Sequence, residues 1–115
     1  MIVGLDIDGT ITRHPEFFAF LSRALERAGH KVVVITFRED RQNAAGDLAQ
    51  WGVAYSKLVT WSHQENDCAA MDQWKGKVCG ALNVDLLFDD DPQVIANLSA
   101  NVVGLMVGNP ESRFS

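Results

Sequence analysis

The stretch IVGLDIDGT at residues 2–10 decides the predicted fold. Its first part, Ile2–Ile7, is apolar and rich in β-branched residues, which is typical of a strand buried in a sheet. The run stops at Asp8, Gly9 and Thr10, where the aspartate and the glycine favour a turn. The first predicted element is therefore a buried strand that leads directly into an acidic turn.

Strands and helices alternate along the rest of the chain. We predict helices over Pro15–Gly29, Glu39–Trp51 and Pro92–Ala100, strands over Val32–Thr36, Lys57–Trp61, Asp85–Phe88 and Val102–Val107, and a mostly helical stretch over Gln64–Val84 with a break between Trp74 and Gly80. This alternation favours right-handed crossovers between parallel strands. The predicted fold is a three-layer, Rossmann-like α/β fold with a parallel five-stranded sheet and helices on both faces.

Length and composition indicate one globular domain. The chain has 115 residues, of which 47% are hydrophobic and 22% are charged. We expect a single catalytic domain over residues 1–108 and a loose C-terminal tail over residues 109–115. Two cysteines are too few for a disulfide scaffold, and no stretch approaches the ~20 apolar residues of a membrane span. A cytoplasmic protein with no membrane contact is therefore expected.

The excess of negative charge is concentrated in two short clusters. Fifteen acidic residues face ten basic ones, which gives a formal net charge of −5. Five of the acidic residues are Asp6, Asp8 and the run Asp89–Asp91, and without them ten acids face ten bases. The chain lacks the basic excess of a general nucleic-acid binder. The surplus negative charge is expected to belong to one site.

Polar residues stand at the carboxyl ends of several predicted strands. These ends share one edge of a parallel sheet, so Asp8, Thr36 and Asp89 are expected to lie near one another. Carboxylates brought together repel unless a cation or a proton offsets their charge, and oxygen ligands in an incomplete shell favour Mg²⁺. Taken alone, each acidic cluster has a local interpretation, as a turn for Asp6–Thr10 and as a helix start for Asp89–Asp91.

Four ordered pieces of sequence carry a family resemblance. They are Asp6–Thr10, Thr36 at the end of VVVIT, a lysine at Lys75 or Lys77, and Phe88–Pro92. In this order the chain resembles the phosphatases of the haloacid dehalogenase superfamily. No room remains for an inserted cap domain, which indicates the small capless type. The stretches Thr36–Glu39 and Leu87–Pro92 look most like the deoxyribonucleotidase branch.

The resemblance implies a magnesium-dependent phosphomonoester hydrolase that works through an aspartyl-phosphate intermediate. Asp6 would be the nucleophile, and Asp8 would be the general acid and base, a role that needs a raised pKa. Thr36 would donate hydrogen bonds to the phosphoryl group. Lys75 would neutralise that group, with Lys77 as the alternative lysine.

The same resemblance implies a binding shell around these four residues. Gly9 and Thr10 would bind the substrate phosphate through the loop after Asp6, and Arg38 would bind a second anionic part of the substrate at the rim. Mg²⁺ would be held by the Asp6 carboxylate, the Asp8 main-chain carbonyl and Asp90. Asp89 would either stand behind these ligands or bind the ion through water. Asp91 is expected to cap the following helix.

An open site without a cap suits a bulky phosphorylated substrate, such as a nucleotide or sugar phosphate, or a neighbouring subunit that closes it. Nucleic acid is expected only as a phosphorylated end. Two alternatives stay open, both on the same fold. One is a magnesium-binding phosphoacceptor module, and the other is a catalytically inactive binding module.

Overall fold

The structure is a computed structural model that describes residues 1–62 and 71–108. The strands are β1 (Ile2–Leu5), β2 (Lys31–Thr36), β3 (Lys57–Thr60), β4 (Leu86–Asp89) and β5 (Val103–Met106). The helices are α1 (Pro15–Arg27), α2 (Arg41–Trp51), α3 (Met71–Ala81) and α4 (Pro92–Ala96). The predicted alternation of strands and helices is confirmed.

The five strands form one parallel sheet in the order β3-β2-β1-β4-β5. From β1 the chain first builds outward through β2 and β3, and it then crosses to the other side of β1 to build β4 and β5. The order reverses between β1 and β4, which is where ligands bind in open α/β sheets. The Rossmann-like fold class is confirmed, and its switch point lies at the end of β1.

Helices cover the sheet on both faces and create two apolar layers. One layer surrounds Leu5 and Val34 and includes Phe18 of α1 and Leu48 of α2. The other surrounds Ile35 and Leu87 and includes Trp61, Trp74 of α3 and Val94 of α4. Because β2 is buried on both faces, its sequence is a continuous apolar run rather than an alternating one.

The chain leaves β1 earlier than predicted. The strand ends at Leu5, and Ile7–Ile11 form a single wide turn in which the N–H of Thr12 donates to the carbonyl of Ile7 at 3.1 Å. Gly9 has a φ of 85°, a left-handed conformation that glycine adopts without strain. The acidic stretch therefore curls at the sheet edge instead of extending the strand.

The predicted break between Trp74 and Gly80 is wrong, because α3 runs through it without interruption. Gly76 has a packing role instead. A Cβ atom at this position would lie 2.7 Å from the backbone oxygen of Asn97, so the glycine allows α3 and the end of α4 to approach closely. The first part of the predicted helical stretch, residues 64–70, lies outside the described residues.

Asp91 caps α4 as predicted, since its carboxylate accepts a hydrogen bond from the N–H of Gln93 at 2.9 Å and Pro92 follows it. The helix ends at Ala96 rather than Ala100. Within the described ranges, no helix has the length and apolar character that a membrane span requires. The predicted tail, residues 109–115, lies outside those ranges.

Candidate metal centre

A cleft of about 380 Å³ opens at the carboxyl edge of the sheet, where β1 and β4 end side by side. Its lining combines five acidic residues with one lysine, one aromatic ring and one proline: Asp6, Asp8, Asp89, Asp90, Asp91, Lys75, Phe37 and Pro92. Four separate segments of the chain contribute to this lining. The topology thus collects at one point most of the acidic residues that the sequence places at strand ends.

Asp6 is held by contacts with three other parts of the chain. Its backbone N–H donates to the carbonyl of Phe88 at 3.0 Å, which ties the ends of β1 and β4 together. Its side chain accepts hydrogen bonds from the ammonium group of Lys75 at 2.7 Å and from the hydroxyl of Thr10 at 3.1 Å. Burial raises the pKa of Asp6 to about 7, against the opposing charge of Lys75 and with a further contribution from nearby Asp89.

Lys75 joins two of the carboxylates. It projects from α3, is only 1% exposed, and its Nζ atom lies 2.7 Å from an oxygen of Asp6 and 2.7 Å from an oxygen of Asp89. The same atom lies 4.7 Å from the centre of the Phe37 ring. Burial alone lowers the pKa of Lys75, but the two carboxylates outweigh that effect and raise it. The ammonium group therefore stays charged, whereas Lys77 is exposed on α3.

Asp6, Asp89 and Asp90 form a cluster of possible metal ligands. Each offers a carboxylate oxygen, and these oxygens lie within 4.8 Å of one another. When all three are ionised, three negative charges and the positive charge of Lys75 leave a net charge of −2, which a divalent cation would balance. Carboxylate oxygens are the ligands that Mg²⁺ prefers. The residues present therefore fit a hard divalent cation.

Gly9 and Thr10 support this cluster from the turn after Asp6. A Cβ atom at Gly9 would collide with the carboxylate of Asp90, so only glycine lets the turn approach it. Thr10 is fully buried and holds Asp6 through its hydroxyl. The N–H of Gly9 donates to the hydroxyl of Thr12 at 2.9 Å. The predicted contact of these two residues with a substrate phosphate stays a prediction.

Asp8 lines the cleft but lies outside the cluster, and it pairs with Arg38. Two nitrogens of the guanidinium group donate to the two carboxylate oxygens of Asp8 at 2.8 and 2.9 Å. These hydrogen bonds lower the pKa of Asp8. A general acid and base needs a shift of the opposite sign. The metal contact predicted for the main-chain carbonyl of Asp8 stays a prediction.

Arg38 belongs to a network that the sequence analysis missed. Besides Asp8, its guanidinium group donates to two residues of α2, Asp47 at 2.7 Å and Asn43 at 3.2 Å. The backbone N–H of Arg38 donates to the buried hydroxyl of Thr36 at 3.1 Å. Asn43 and Asp47 are four residues apart and therefore share one face of the helix, which is the signal that could have revealed them. Binding of substrate by Thr36 and Arg38 stays a prediction.

No protein-family model and no curated protein matches this chain. Among solved structures, a chain of the Pnkp1/Rnl/Hen1 complex shares the fold with a TM-score of 0.68 and 20% sequence identity, over 92% of this chain and 45% of that chain. A chain of the Pnkp1/Rnl/Hen1 RNA repair complex is similar, with a TM-score of 0.70, 20% identity, and coverage of 92% and 42%. This chain thus spans less than half of either neighbour.

These findings correct the predicted family. Membership of the haloacid dehalogenase superfamily, in its capless deoxyribonucleotidase-like branch, is wrong: no family model carries it, and the structures that share the fold belong to an RNA repair complex. The physical reason is that the four motifs are short. Acidic residues at the strand ends of a parallel sheet follow from the demands of a cation site and do not define a family.

The predicted reaction and partners are corrected as well. A phosphomonoester hydrolase working through an aspartyl-phosphate is wrong, and so is the expectation of a small-molecule substrate, because the neighbours come from a multi-protein RNA repair complex. The roles predicted for Asp6 and Asp8 stay predictions. Asp6 accepts hydrogen bonds from Lys75 and Thr10, and the hydrogen bonds from Arg38 lower the pKa of Asp8.

Proposed function

We propose that this chain is a divalent-metal-dependent enzyme domain that acts on the phosphorylated ends of RNA strands, within an assembly of several proteins. The observation that carries the proposal is the cluster of Asp6, Asp89 and Asp90 around the ammonium group of Lys75, at an open cleft. The class of substrate is suggested by the fold, which the chain shares with chains of the Pnkp1/Rnl/Hen1 RNA repair complex.

The metal in this proposal is Mg²⁺, held by Asp6, Asp89 and Asp90. A bound Mg²⁺ would supply the positive charge that fixes and polarises a terminal phosphate. The surrounding residues keep the ligands in place. Lys75 holds Asp6 and Asp89 at a fixed separation, and Thr10 fixes the second oxygen of Asp6. Asp90 is the least enclosed of the three ligands, so the open side of the site is expected to lie beside it.

The charge of the chain favours recognition of an RNA end over recognition of the RNA backbone. With a net charge of −5 and an acidic cleft, the chain lacks the basic excess that is typical of proteins binding along a backbone of phosphates. A cation bound by Asp6, Asp89 and Asp90 would create an anion-binding site within the acidic cleft. A terminal phosphate is the part of an RNA strand that can reach such a point in a cleft.

RNA binding to the purified protein tests the proposal. Fluorescence anisotropy would compare ten-nucleotide RNAs that carry a 5′-phosphate, a 3′-phosphate or only hydroxyl ends, in Mg²⁺ and in chelator. We expect one phosphorylated form to bind at least tenfold more tightly than the hydroxyl form, in Mg²⁺ only. Mass spectrometry of the RNA after incubation should show a change confined to that end.

Two adjacent carboxylates provide matched variants. Asp90→Asn removes a proposed ligand and should abolish the preference for the phosphorylated end. Asp91→Asn removes the same charge one residue later but keeps a side chain that caps α4, so it should bind as the wild type does. Equal binding of phosphorylated and hydroxyl ends by the wild type would contradict the proposal, as would equal effects of the two variants.

A further inference from the structure

A second cleft, also about 380 Å³, lies on the outer face of α1 beside the end of α2. Phe20, Arg23 and Arg27 of α1 and Trp51 of α2 are among its lining residues. Phe20 is 69% exposed, and Phe17, one helical turn earlier, is 51% exposed. The edge of the Phe17 ring packs against Phe18, with the ring centres 5.0 Å apart. Two large aromatic side chains thus stand in solvent on one helix, which indicates a binding surface.

The charge of this helix face is opposite to that of the chain. Arg23 and Arg27 are exposed and four residues apart, so they lie side by side on α1. Glu26 is turned away, because its carboxylate accepts hydrogen bonds from the N–H of Val32 and the hydroxyl of Ser56. Glu16 is the acidic residue of the cleft lining. A face with two arginines and one glutamate favours an anionic occupant.

Arg23 lies against the end of α2. A Cβ atom at Gly52 would collide with its guanidinium group, and Gly52 itself adopts the left-handed conformation that ends the helix, with a φ of 75°. Glycine adopts this conformation without strain and leaves room for the guanidinium group beside the backbone.

Helix α1 leads from the metal centre to this face. The helix begins four residues after the turn that carries Gly9. Its buried Phe18 packs edge-on against Phe88, the residue before Asp89, with the ring centres 5.5 Å apart. From Phe20 to Arg27 the helix advances about 10 Å, at about 1.5 Å per residue. Helix α1 thus runs from the sheet edge that carries the metal centre to the lining of the second cleft.

We propose that the outer face of α1 binds the single-stranded RNA that adjoins the phosphorylated end. Bases stack on Phe17 and Phe20, and Arg23 and Arg27 contact the phosphates between them. Aromatic rings interleaved with basic groups are the arrangement that binds single strands without regard to sequence. The inference rests on the proposed function and extends it, because it assigns the surface that holds the RNA outside the acidic cleft.

Affinity as a function of RNA length tests this inference. End-phosphorylated oligouridylates of two and six nucleotides would be titrated in Mg²⁺ against the wild type, Phe20→Ala, Arg27→Gln and Asp90→Asn. We expect Phe20→Ala to weaken binding of the six-nucleotide RNA about tenfold, the scale of one stacked base, and to leave the two-nucleotide RNA unchanged. Arg27→Gln should act in the same direction. Lys77→Gln, which removes an exposed charge on α3, is the matched control and should have no effect.

The outcomes separate this inference from the proposed function. If Phe20→Ala and Arg27→Gln bind the longer RNA as the wild type does, and Asp90→Asn does not, the role of α1 is refuted and the metal centre stands. If only the α1 variants lose affinity, the surface is supported and the proposed end recognition fails. If the wild type binds oligoglutamate through Phe20 and Arg27 but binds no RNA, the face is a protein-docking surface and the inference is overturned.

Discussion

Asp90 differs from the other two carboxylates of the cluster in its partners. The ammonium group of Lys75 bridges Asp6 and Asp89, whereas Asp90 lies outside these two ion pairs. Without a cation, and above the Asp6 pKa of about 7, the charge of Asp90 adds to a site that is already negative. Asp90 is therefore a residue that we expect to favour metal binding at the expense of the stability of the metal-free protein.

Asp90→Asn should accordingly stabilise the metal-free protein. Removing one of several like charges a few ångströms apart is worth about 1 kcal/mol or more at the effective dielectric constant of a partly buried site. In chelator at about pH 8, where Asp6 is ionised, we expect the variant to melt several degrees above the wild type. In Mg²⁺ we expect the variant to lack the increase in melting temperature that the wild type should show. Thermal denaturation followed by circular dichroism measures both. A variant that melts below the wild type in chelator would show that Asp90 has a structural role instead.

Metal binding should depend on pH through Asp6. The pKa of Asp6 is about 7 in the folded protein, against 3.8 in the unfolded chain. Between these two pH values only the folded protein holds the proton, so the stability of the metal-free protein falls as the pH rises. A cation that binds below pH 7 must displace this proton. We expect the affinity for Mg²⁺ to rise with pH up to about 7 and then to level off. Calorimetry at pH 6 in two buffers of different ionisation enthalpy should show close to one proton released per ion, and no release would contradict this assignment.

At the scale of elements, two glycines of α3 provide a sharp comparison. Gly76 faces the backbone of Asn97 and leaves no space for a Cβ atom, whereas nothing lies within 4 Å of a Cβ atom at Gly80. Gly76→Ala should therefore destabilise the protein by about 1–3 kcal/mol through overpacking. Gly80→Ala should be neutral or should stabilise it by up to about 1 kcal/mol through helix propensity. Urea denaturation of both variants measures the difference, and equal effects would show that α3 and α4 do not pack as described.

The same two glycines show how far sequence can predict the elements. Apolar runs and helix-ending glycines predict the order of the strands and helices, because these signals are local. The two glycines between Trp74 and Gly80 predict a helix break, because a glycine that allows close packing and one that interrupts a helix look alike in sequence. The described helix also ends at Ala96, before the predicted Ala100. Tertiary contacts decide such positions, and they are not visible in a local pattern.

The candidate site, like the elements, could be predicted only in part from the sequence. The convergence of Asp6 and Asp89 follows from the rule that parallel strands present their carboxyl ends at one edge. Lys75 lies on α3, and only the family resemblance placed a lysine at the site. The direction of the Asp8 side chain does not follow from that rule, because it depends on Arg38 and on Asp47 of a different helix. Short motifs reflect the chemistry of a site and not its ancestry, so the family could not be identified from them.

At the scale of the whole molecule, charge determines how RNA binding should respond to salt. If a strand contacts the protein mainly at its end and at Arg23 and Arg27, about two phosphates are neutralised away from the metal. The slope of log K against log salt for a single strand should then be roughly −1.4, or −0.7 for each phosphate. Arg27→Gln should reduce the slope by about 0.7. Titrations at constant Mg²⁺ and varied NaCl measure it, and a slope steeper than about −4 would require a basic surface that the described residues do not form.

The shared fold covers less than half of each neighbour chain. Under the proposed function, the cluster of Asp6, Asp89 and Asp90 would provide the chemistry at the RNA end, and further affinity would come from α1 and from neighbouring proteins.

The most direct test of the account is a titration with Mn²⁺, a spectroscopically visible substitute for Mg²⁺, followed by electron paramagnetic resonance. The account predicts one bound ion per chain, displaced by excess Mg²⁺, lost in Asp90→Asn and retained in Asp91→Asn. It also predicts that an RNA with the preferred phosphorylated end changes the spectrum of the bound ion, whereas the same RNA with hydroxyl ends does not. Failure of the wild type to bind Mn²⁺, or equal binding by Asp90→Asn, would contradict the central claim that these three carboxylates form a metal centre.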